Sequence, residues 1–407
     1  MQYDFTTIMD RRGKDAIAVD APAGNNTGND FFAGAKIREG FDLIPMWVAD
    51  MNFPALPAIP EAIIQRTKHP AYGYFDPSAA YYDGIINWQK TRNGVNDLTK
   101  ECIGYENGVL GGVVSALKVL CSNGDSVLLQ SPTYIGFTHC IEDNGWNIVL
   151  NPLVLDEEGI WRIDYEDMEE KIVQNKIHAA VFCSPHNPTG RVWERWEIEK
   201  AMEIYQKHDV YVISDEIWSD LTLPGYQHIP TQSVSEDAKN RTIALYAPSK
   251  TFNLAGCQNS IVIIPNEKIR DMYDGYLEKI RISSGNAFGY IAVQSAYEGG
   301  REWLEEALTI IEDNFKRMKA MLEEKLPKVW IPNLEGTYLM WIDLGAYISP
   351  KRIEEVLQNQ CHLAVDYGEW FGGKEYSTFI RVNLATKWEN IEMAADQLIK
   401  ALIKDEK

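Results

Sequence analysis

Thr242–Gly256 reads TIALYAPSKTFNLAG. A short apolar run, Thr242–Tyr246, is followed by turn residues, which is the pattern of a buried strand and its exit. Lys250 sits in that exit, in a neutral turn without an acidic neighbour. The ordinary place for a lysine is a solvated face. One that leaves the end of an apolar strand is partly desolvated, which disfavours its charged form and frees the amine for Schiff-base formation. The next apolar run, Ser260–Ile264, begins too soon for a helical crossover, so these two strands pair antiparallel.

Upstream, the same rhythm recurs. Ser126–Gln130, Ala179–Cys183 and Val210–Ser214 read as buried strands, separated by helical periodicity at Val113–Leu120, Tyr134–Asp143 and Trp193–His208. Glu267–Ile280 reads as a further helix after the antiparallel pair. Strands alternating with helices indicate βαβ units and a mostly parallel sheet. After residue 290 the rhythm changes to a long helix, Arg301–Leu326, strands at Thr337–Leu344 and Phe379–Leu384, a helix near Pro350–Gln358 and a last helix, Lys387–Lys404. The expected organisation is a large α/β domain at 47–290 and a smaller α+β domain made of 1–46 with 291–407. Residues 20–35, rich in Gly, Asn and Ala, read as a loop.

Four other segments carry groups with chemistry, each beside a plainer reading. In VISDEIWSD, Asp215 ends an apolar strand, where α/β folds open their ligand crevice; a helix cap is the alternative. In CSPHNPTGR, prolines and Gly190 fix a turn that presents Asn187, or simply make a loop. In YENGVLGGVV, Gly111 and Gly112 precede a helix and could let N–H groups approach an anion, or make a tight turn. In FIRVNLAT, Arg381 interrupts an apolar strand; a buried guanidinium needs an anion, whether a ligand carboxylate or a structural partner.

Bulk properties narrow the field. Of 407 residues, 45% are hydrophobic and the net charge is −20, which supplies a large core and repels phosphate backbones and anionic lipid surfaces. Nucleic-acid and membrane partners are therefore not expected. No apolar run has the length of a membrane span, no secretory signal is visible, and the six cysteines form no CxxC pair, so a reducing cytoplasm is the expected location. The histidines show no ligand spacing, and no metal site is indicated.

The order of these segments, with Tyr134 following Ser131-Pro132-Thr133, resembles fold-type I pyridoxal-phosphate enzymes of the class I/II aminotransferase group over nearly the whole chain. PMWVADMNF (45–53), YGYFDPS (72–78), PSKTFNLAG (248–256), EGTYLMWIDL (335–344) and FIRVNLAT (379–386) are similar to the PatB/MalY subgroup. Those proteins are chiefly cystathionine β-lyases (cysteine-S-conjugate β-lyases) that act as homodimers. The resemblance implies an aspartate-aminotransferase-like fold, with pyridoxal 5′-phosphate held by Lys250 as a Schiff base and Asp215 at its ring nitrogen. It further implies Asn187 on the ring hydroxyl, Tyr134 on the ring face, and backbone N–H groups of Gly112 and Val113 on the phosphate. Tyr74 would reach the neighbouring subunit's phosphate, and Arg381 would hold the substrate α-carboxylate.

The implied reaction is C–S β-elimination. Amino transfer is the alternative, and a non-catalytic regulatory protein on the same fold is a further one, against which the intact Lys250, Asp215, Asn187 and Arg381 set argues. Tyr72, Tyr74, Phe75 and Trp370 are candidate aromatic walls for a thioether, or core packing. Three positions depart from the wider group: Trp218 stands where Tyr or His is common, and Ala247 and Gln258 replace a serine and an arginine of the phosphate site. Ser249 is a candidate substitute donor.

Overall fold

A computed structural model describes residues 2–7, 9–20, 44–282 and 284–405. The loop expected at 20–35 lies, apart from Asp20, outside the described residues. The strands, in chain order, are β1 Ile44–Pro45, β2 Ile103–Glu106, β3 Ser126–Ser131, β4 Asn147–Leu155, β5 Trp161–Ile163, β6 Ala179–Cys183 and β7 Tyr211–Asp215. They continue with β8 Thr242–Tyr246, β9 Ser260–Ile263, β10 Leu339–Asp343, β11 Leu363–Ala364, β12 Asp366–Tyr367 and β13 Phe379–Asn383.

Eight of them form one sheet in the order β2-β9-β8-β7-β6-β3-β4-β5. The inner strands β4, β3, β6, β7 and β8 run parallel, while β9 is antiparallel to both β8 and β2. β2 therefore points the same way as the parallel strands. β6, β7 and β8 are almost wholly buried, which is why they read as unbroken apolar runs. β4, near the sheet's margin, leaves Leu150, Val154 and Leu155 exposed. Its mixed face is why periodicity alone does not reveal it.

Helices cover the faces. Val109–Leu120 buries Val109, Gly112, Val113, Ala116 and Leu117, one apolar stripe at helical spacing. Gly112 belongs to that stripe for a steric reason: a β-carbon there would come within 2.8 Å of Leu245 Cδ2 on β8. Arg195–Lys207 starts with a reciprocal capping box between Glu194 and Glu197. Ala287–Gly299 spans residue 290, so a unit boundary at that number would cut a helix. Gly300, between this helix and the 25-residue helix Arg301–Lys325, is the natural break.

A second sheet has the antiparallel order β10-β13-β12, and β1 pairs with β11. Arg381 lies on β13, the central strand, opposite Trp341 on one side and Asp366 on the other. One apolar cluster runs from Phe5 through Trp88 and Trp303 to Leu402 and joins the two sheets' helices. The site lies where the sheets approach each other.

Candidate active site

The strand directions bring distant segments to one edge. β3, β6, β7 and β8 end at Ser131, Cys183, Asp215 and Tyr246, so Tyr134, Asn187, Asp215 and Lys250 all leave the same carboxyl edge of the parallel sheet. β2 ends there too and hands the chain to the N-terminus of Val109–Leu120. The cavity at this edge measures about 360 Å³, the scale of a small-molecule site. Lys250, Asp215, Asn187, Tyr134, Ser249 and Trp218 line it. A larger hollow of about 600 Å³ lies elsewhere, walled by Asn96, Asp97, Gln232 and Lys239, and holds none of these groups.

Lys250 Nζ donates to the Ala49 carbonyl at 3.1 Å. Burial, with the Arg381 charge nearby, lowers its pKa to about 8 despite opposing attraction from Asp50 and Asp215. Asp215 Oδ1 accepts from the Ile217 N–H at 3.0 Å, and no described hydrogen bond occupies Oδ2. Burial pushes this carboxyl up to about 7. Its backbone is held firmly. The neighbouring Glu216 accepts from Ser214 Oγ at 2.9 Å, from the Thr231 N–H at 3.0 Å and from Tyr246 Oη, and it pairs with His228 Nε2 at 2.7 Å. A carboxylate with that many partners is stable when buried.

Asn187 Oδ1 accepts from Arg381 Nη1 at 2.7 Å, which leaves the amide nitrogen as a donor. Arg381 itself does not wall the cavity. It stands behind Asn187, bonded through Nη2 to Asp366. Both side chains of this ion pair are nearly inaccessible, so removing one would leave a buried charge uncompensated, at a cost of about 3–5 kcal/mol.

Tyr134 lies over the next turn of chain because residue 136 is glycine: a β-carbon there would meet the Tyr134 ring at 2.4 Å. Phe137 packs edge-on against the same ring, with centroids 5.5 Å apart. Trp218 is buried edge-on against Tyr338, centroids 4.9 Å apart, and its ring also faces Lys250 Nζ, 5.8 Å from the centroid. These wall and polar groups, with a buried amine, converge on one crevice in the chain order expected of one family.

The class I and II aminotransferase model matches residues 43–398. The chain belongs to that family. It is 38% identical to cystathionine beta-lyase PatB of Bacillus subtilis over 344 residues, 84% of this chain and 88% of that one. Cystalysin from Treponema denticola, solved with a pyridoxal 5′-phosphate cofactor, superposes with a TM-score of 0.92 at 32% identity, covering 100% of both chains. The PLP-bound C-S lyase from Staphylococcus hominis superposes with a TM-score of 0.89 at 30% identity over 99% of each.

Within this family member, one expectation from sequence needs correction. Gly112 and Val113 are not placed as open anion donors. The helix begins at Val109, earlier than its periodicity indicates, and the Gly112 N–H is already bonded to the Gly108 carbonyl at 3.2 Å. Val113 is fully buried. The N–H groups left without intrahelical partners are those of the first turn. Of these, Val109 and Leu110 wall the cavity.

Tyr74 stands fully exposed, outside this chain's cavity. Phe75 packs on Tyr290, with centroids 5.6 Å apart, and Trp370 on Tyr367 at 5.2 Å, so these two serve as packing. Tyr72 is exposed and leans on Phe288. Gln258 and Ser249 line the cavity near the helix N-terminus, whereas Ala247 is buried in the core. The Ala49 carbonyl and Asp366 were missed. Asp366 had a legible signal: an acid inside the apolar run LAVDY is a natural partner for an arginine inside FIRVN.

Proposed function

We propose that the chain is a pyridoxal-phosphate-dependent C–S β-lyase that cleaves cystathionine or a related cysteine S-conjugate to pyruvate, ammonia and a thiol. The observation that carries it is the buried Lys250 amine sharing one cavity with the buried Asp215 carboxylate, in a chain similar to PatB over most of its length. The residues fit the cofactor. Asp215, whose Oδ2 has no described hydrogen bond, lines the cavity and suits a cationic ring N–H. The Val109 and Leu110 N–H groups, Ser249 and Gln258 suit a phosphate. Asn187 supplies an amide donor and Tyr134 a ring-sized wall.

When bound, pyridoxal phosphate supplies an electrophilic carbonyl and a conjugated ring that draws electron density from Cα. Asp215 holds the ring nitrogen protonated. Arg381, directly behind Asn187, orients the substrate's α-carboxylate, and so its Cα–H bond. Lys250, whose burial favours the neutral amine, takes the Cα proton. The Cβ–S bond then breaks with its electron pair on sulfur, the thiolate takes up a proton, and water converts the three-carbon remainder to pyruvate and ammonia.

The division expected as 47–290 and 1–46 with 291–407 is part of this proposal, its second boundary moved to Gly300 so that the helix Ala287–Gly299 stays whole. It is supported by the large sheet's strands all falling between Ile103 and Ile263. So is a cytoplasmic location, in keeping with the absence of any disulfide among the described cysteines. No described helix is long and apolar enough to cross a membrane.

Incubating the holoenzyme with cystathionine and no keto acid is expected to release pyruvate and thiol in equal amounts. Absence of pyruvate from several cysteine conjugates, with rapid amino transfer once a keto acid is added, would reverse the reading.

A homodimer completes the proposal, since Tyr74 is free to enter a neighbour's phosphate site. Losing a hydrogen bond to a charged group costs about 1.5–3 kcal/mol, so Tyr74→Ala is expected to weaken cofactor binding by about ten- to a hundredfold. Mixed with Lys250→Ala protein it should regain activity, because one site of each hybrid is then whole. No recovery on mixing, or a fully active monomer in sedimentation, counts against a shared site.

A further inference from the structure

The grip assigned to Arg381 is already half occupied. Antiparallel pairing of β12 and β13 sets Asp366 directly across from Arg381, and Asp366 Oδ2 accepts from Nη2. Nη1 donates to Asn187 at 2.7 Å, and the Phe371 ring centroid lies 4.6 Å from the guanidinium carbon. The Arg381 and Asp366 side chains are 5% and 7% exposed, and the Arg381 Nε–H is buried without a hydrogen-bond partner. A guanidinium offers a carboxylate two forked edges, Nε with Nη2 and Nη1 with Nη2. Nη2 belongs to both. Of its two N–H groups, Asp366 holds one, and Nη2 also donates to the Trp47 carbonyl at 3.5 Å, so either bidentate grip meets an occupied nitrogen.

We propose that Asp366 is a specificity-determining residue: it competes with the substrate's α-carboxylate for Arg381, and a ligand carboxylate seats fully only when Asp366 turns aside or takes up a proton. This rests on the reading of Arg381 as the carboxylate's partner. Before the ligand enters, Arg381 and Asp366 together are neutral. A ligand carboxylate makes the trio anionic in a place shielded from water, where like charges are costly. A proton on Asp366 restores neutrality. Burial already raises this carboxyl to about 6 against the pull of Arg381, and a second carboxylate raises it further. Affinity for a carboxylate therefore falls as pH rises past neutrality.

The surrounding titratable groups are few. Lys250 feels Arg381, Tyr134 feels both members of the pair, and Tyr338 feels Arg381 together with Asp50 and Arg11. Tyr367, beside Asp366, accepts from Gln358 Nε2 at 2.9 Å, and Glu354 acts on it. Of these and Asp215, Lys250 at about 8 and Asp215 at about 7 also titrate near neutrality in the cofactor-free chain. Asp366→Asn leaves both in place, so the comparison with wild type isolates Asp366.

The probe is 3-(methylthio)propanoate, a thioether carboxylate without an amino group. Its binding to holoenzyme is measured by calorimetry across neutral pH, in two buffers of different ionisation enthalpy. Wild type is expected to take up a proton on binding and to weaken by about tenfold per pH unit where that uptake is complete. Asp366→Asn is expected to bind roughly ten- to a hundredfold tighter at alkaline pH and to lose that proton uptake. A merely structural Asp366 gives the opposite: the asparagine variant binds more weakly at every pH with its proton count unchanged, and that outcome overturns the proposal. So does a wild type whose affinity ignores pH. Arg381→Ala separates the two ideas. If it binds the probe as wild type does, the reading of Arg381 fails. If it loses binding while Asp366→Asn does not tighten, the competition alone fails. If the asparagine variant does not fold, the wild-type proton uptake and pH slope decide the matter by themselves, and a wild type without them overturns the proposal.

Discussion

Replacing Lys250 by alanine is expected to cut turnover by at least about 10²–10⁴-fold, the range supplied by a positioned acid–base group. The cofactor should remain, held non-covalently by Asp215, Asn187 and the first turn of Val109–Leu120. Borohydride should fix it to wild type at Lys250 and not to the variant; labelling at another lysine removes Lys250 from the role. The physical basis is the apolar exit of β8, which keeps the amine out of water and lowers its pKa to about 8. The nucleophile is the neutral amine. Reconstitution of wild-type apoenzyme, followed by visible absorbance, should therefore quicken as pH rises through about 8 and level off above it. A rate that falls over that range would mean that some other group limits capture.

The second large effect is expected at Asp215. Asparagine keeps the shape and loses the charge that holds the ring nitrogen protonated. Removing one preorganised electrostatic partner costs on the order of 10²–10³-fold in kcat, and lyase and transferase chemistry should suffer alike. Stability should move the other way. In the apoenzyme, burial raises this carboxyl from 3.8 to about 7, so the folded state binds more protons than the unfolded one between those values. Stability then falls as pH rises through that window. Asp215→Asn lacks the group and escapes the loss. Apo melting temperatures of variant and wild type should converge below about pH 4 and separate in favour of the variant by about pH 7. A variant destabilised throughout would mean that Asp215 serves the fold first and the cofactor second.

Much of this site was legible before folding. Lys250 and Asp215 each follow an unbroken apolar run, and such runs become fully buried parallel strands whose ends open on one edge. The short link from β8 to β9 left no room for a crossover, and the pair is antiparallel. The helix Glu267–Ile280 reads at its true bounds because its apolar residues keep a strict helical period. β2, β4 and β5 were not legible. All three lie at or near the sheet's margins, where one face meets solvent and the pattern blurs.

Sequence by itself determined the alternation of strands and helices and the residues that carry charge at strand ends. These are local properties, written in periodicity and in the chemistry of turns. Tertiary structure decided which of those groups meet, and how. The glycine pair of VLGGVV looked like an anion loop, yet Gly112 is spent on close packing against Leu245, and the helix's first turn, at Val109 and Leu110, faces the cavity instead. Lys250 finds its carbonyl partner on Ala49, 201 residues away. Arg381 meets Asp366 across the register of two strands. No window of sequence holds that register: strand pairing is fixed by burial of whole faces at once, and a slip of one residue would turn Asp366 to the opposite side of its strand.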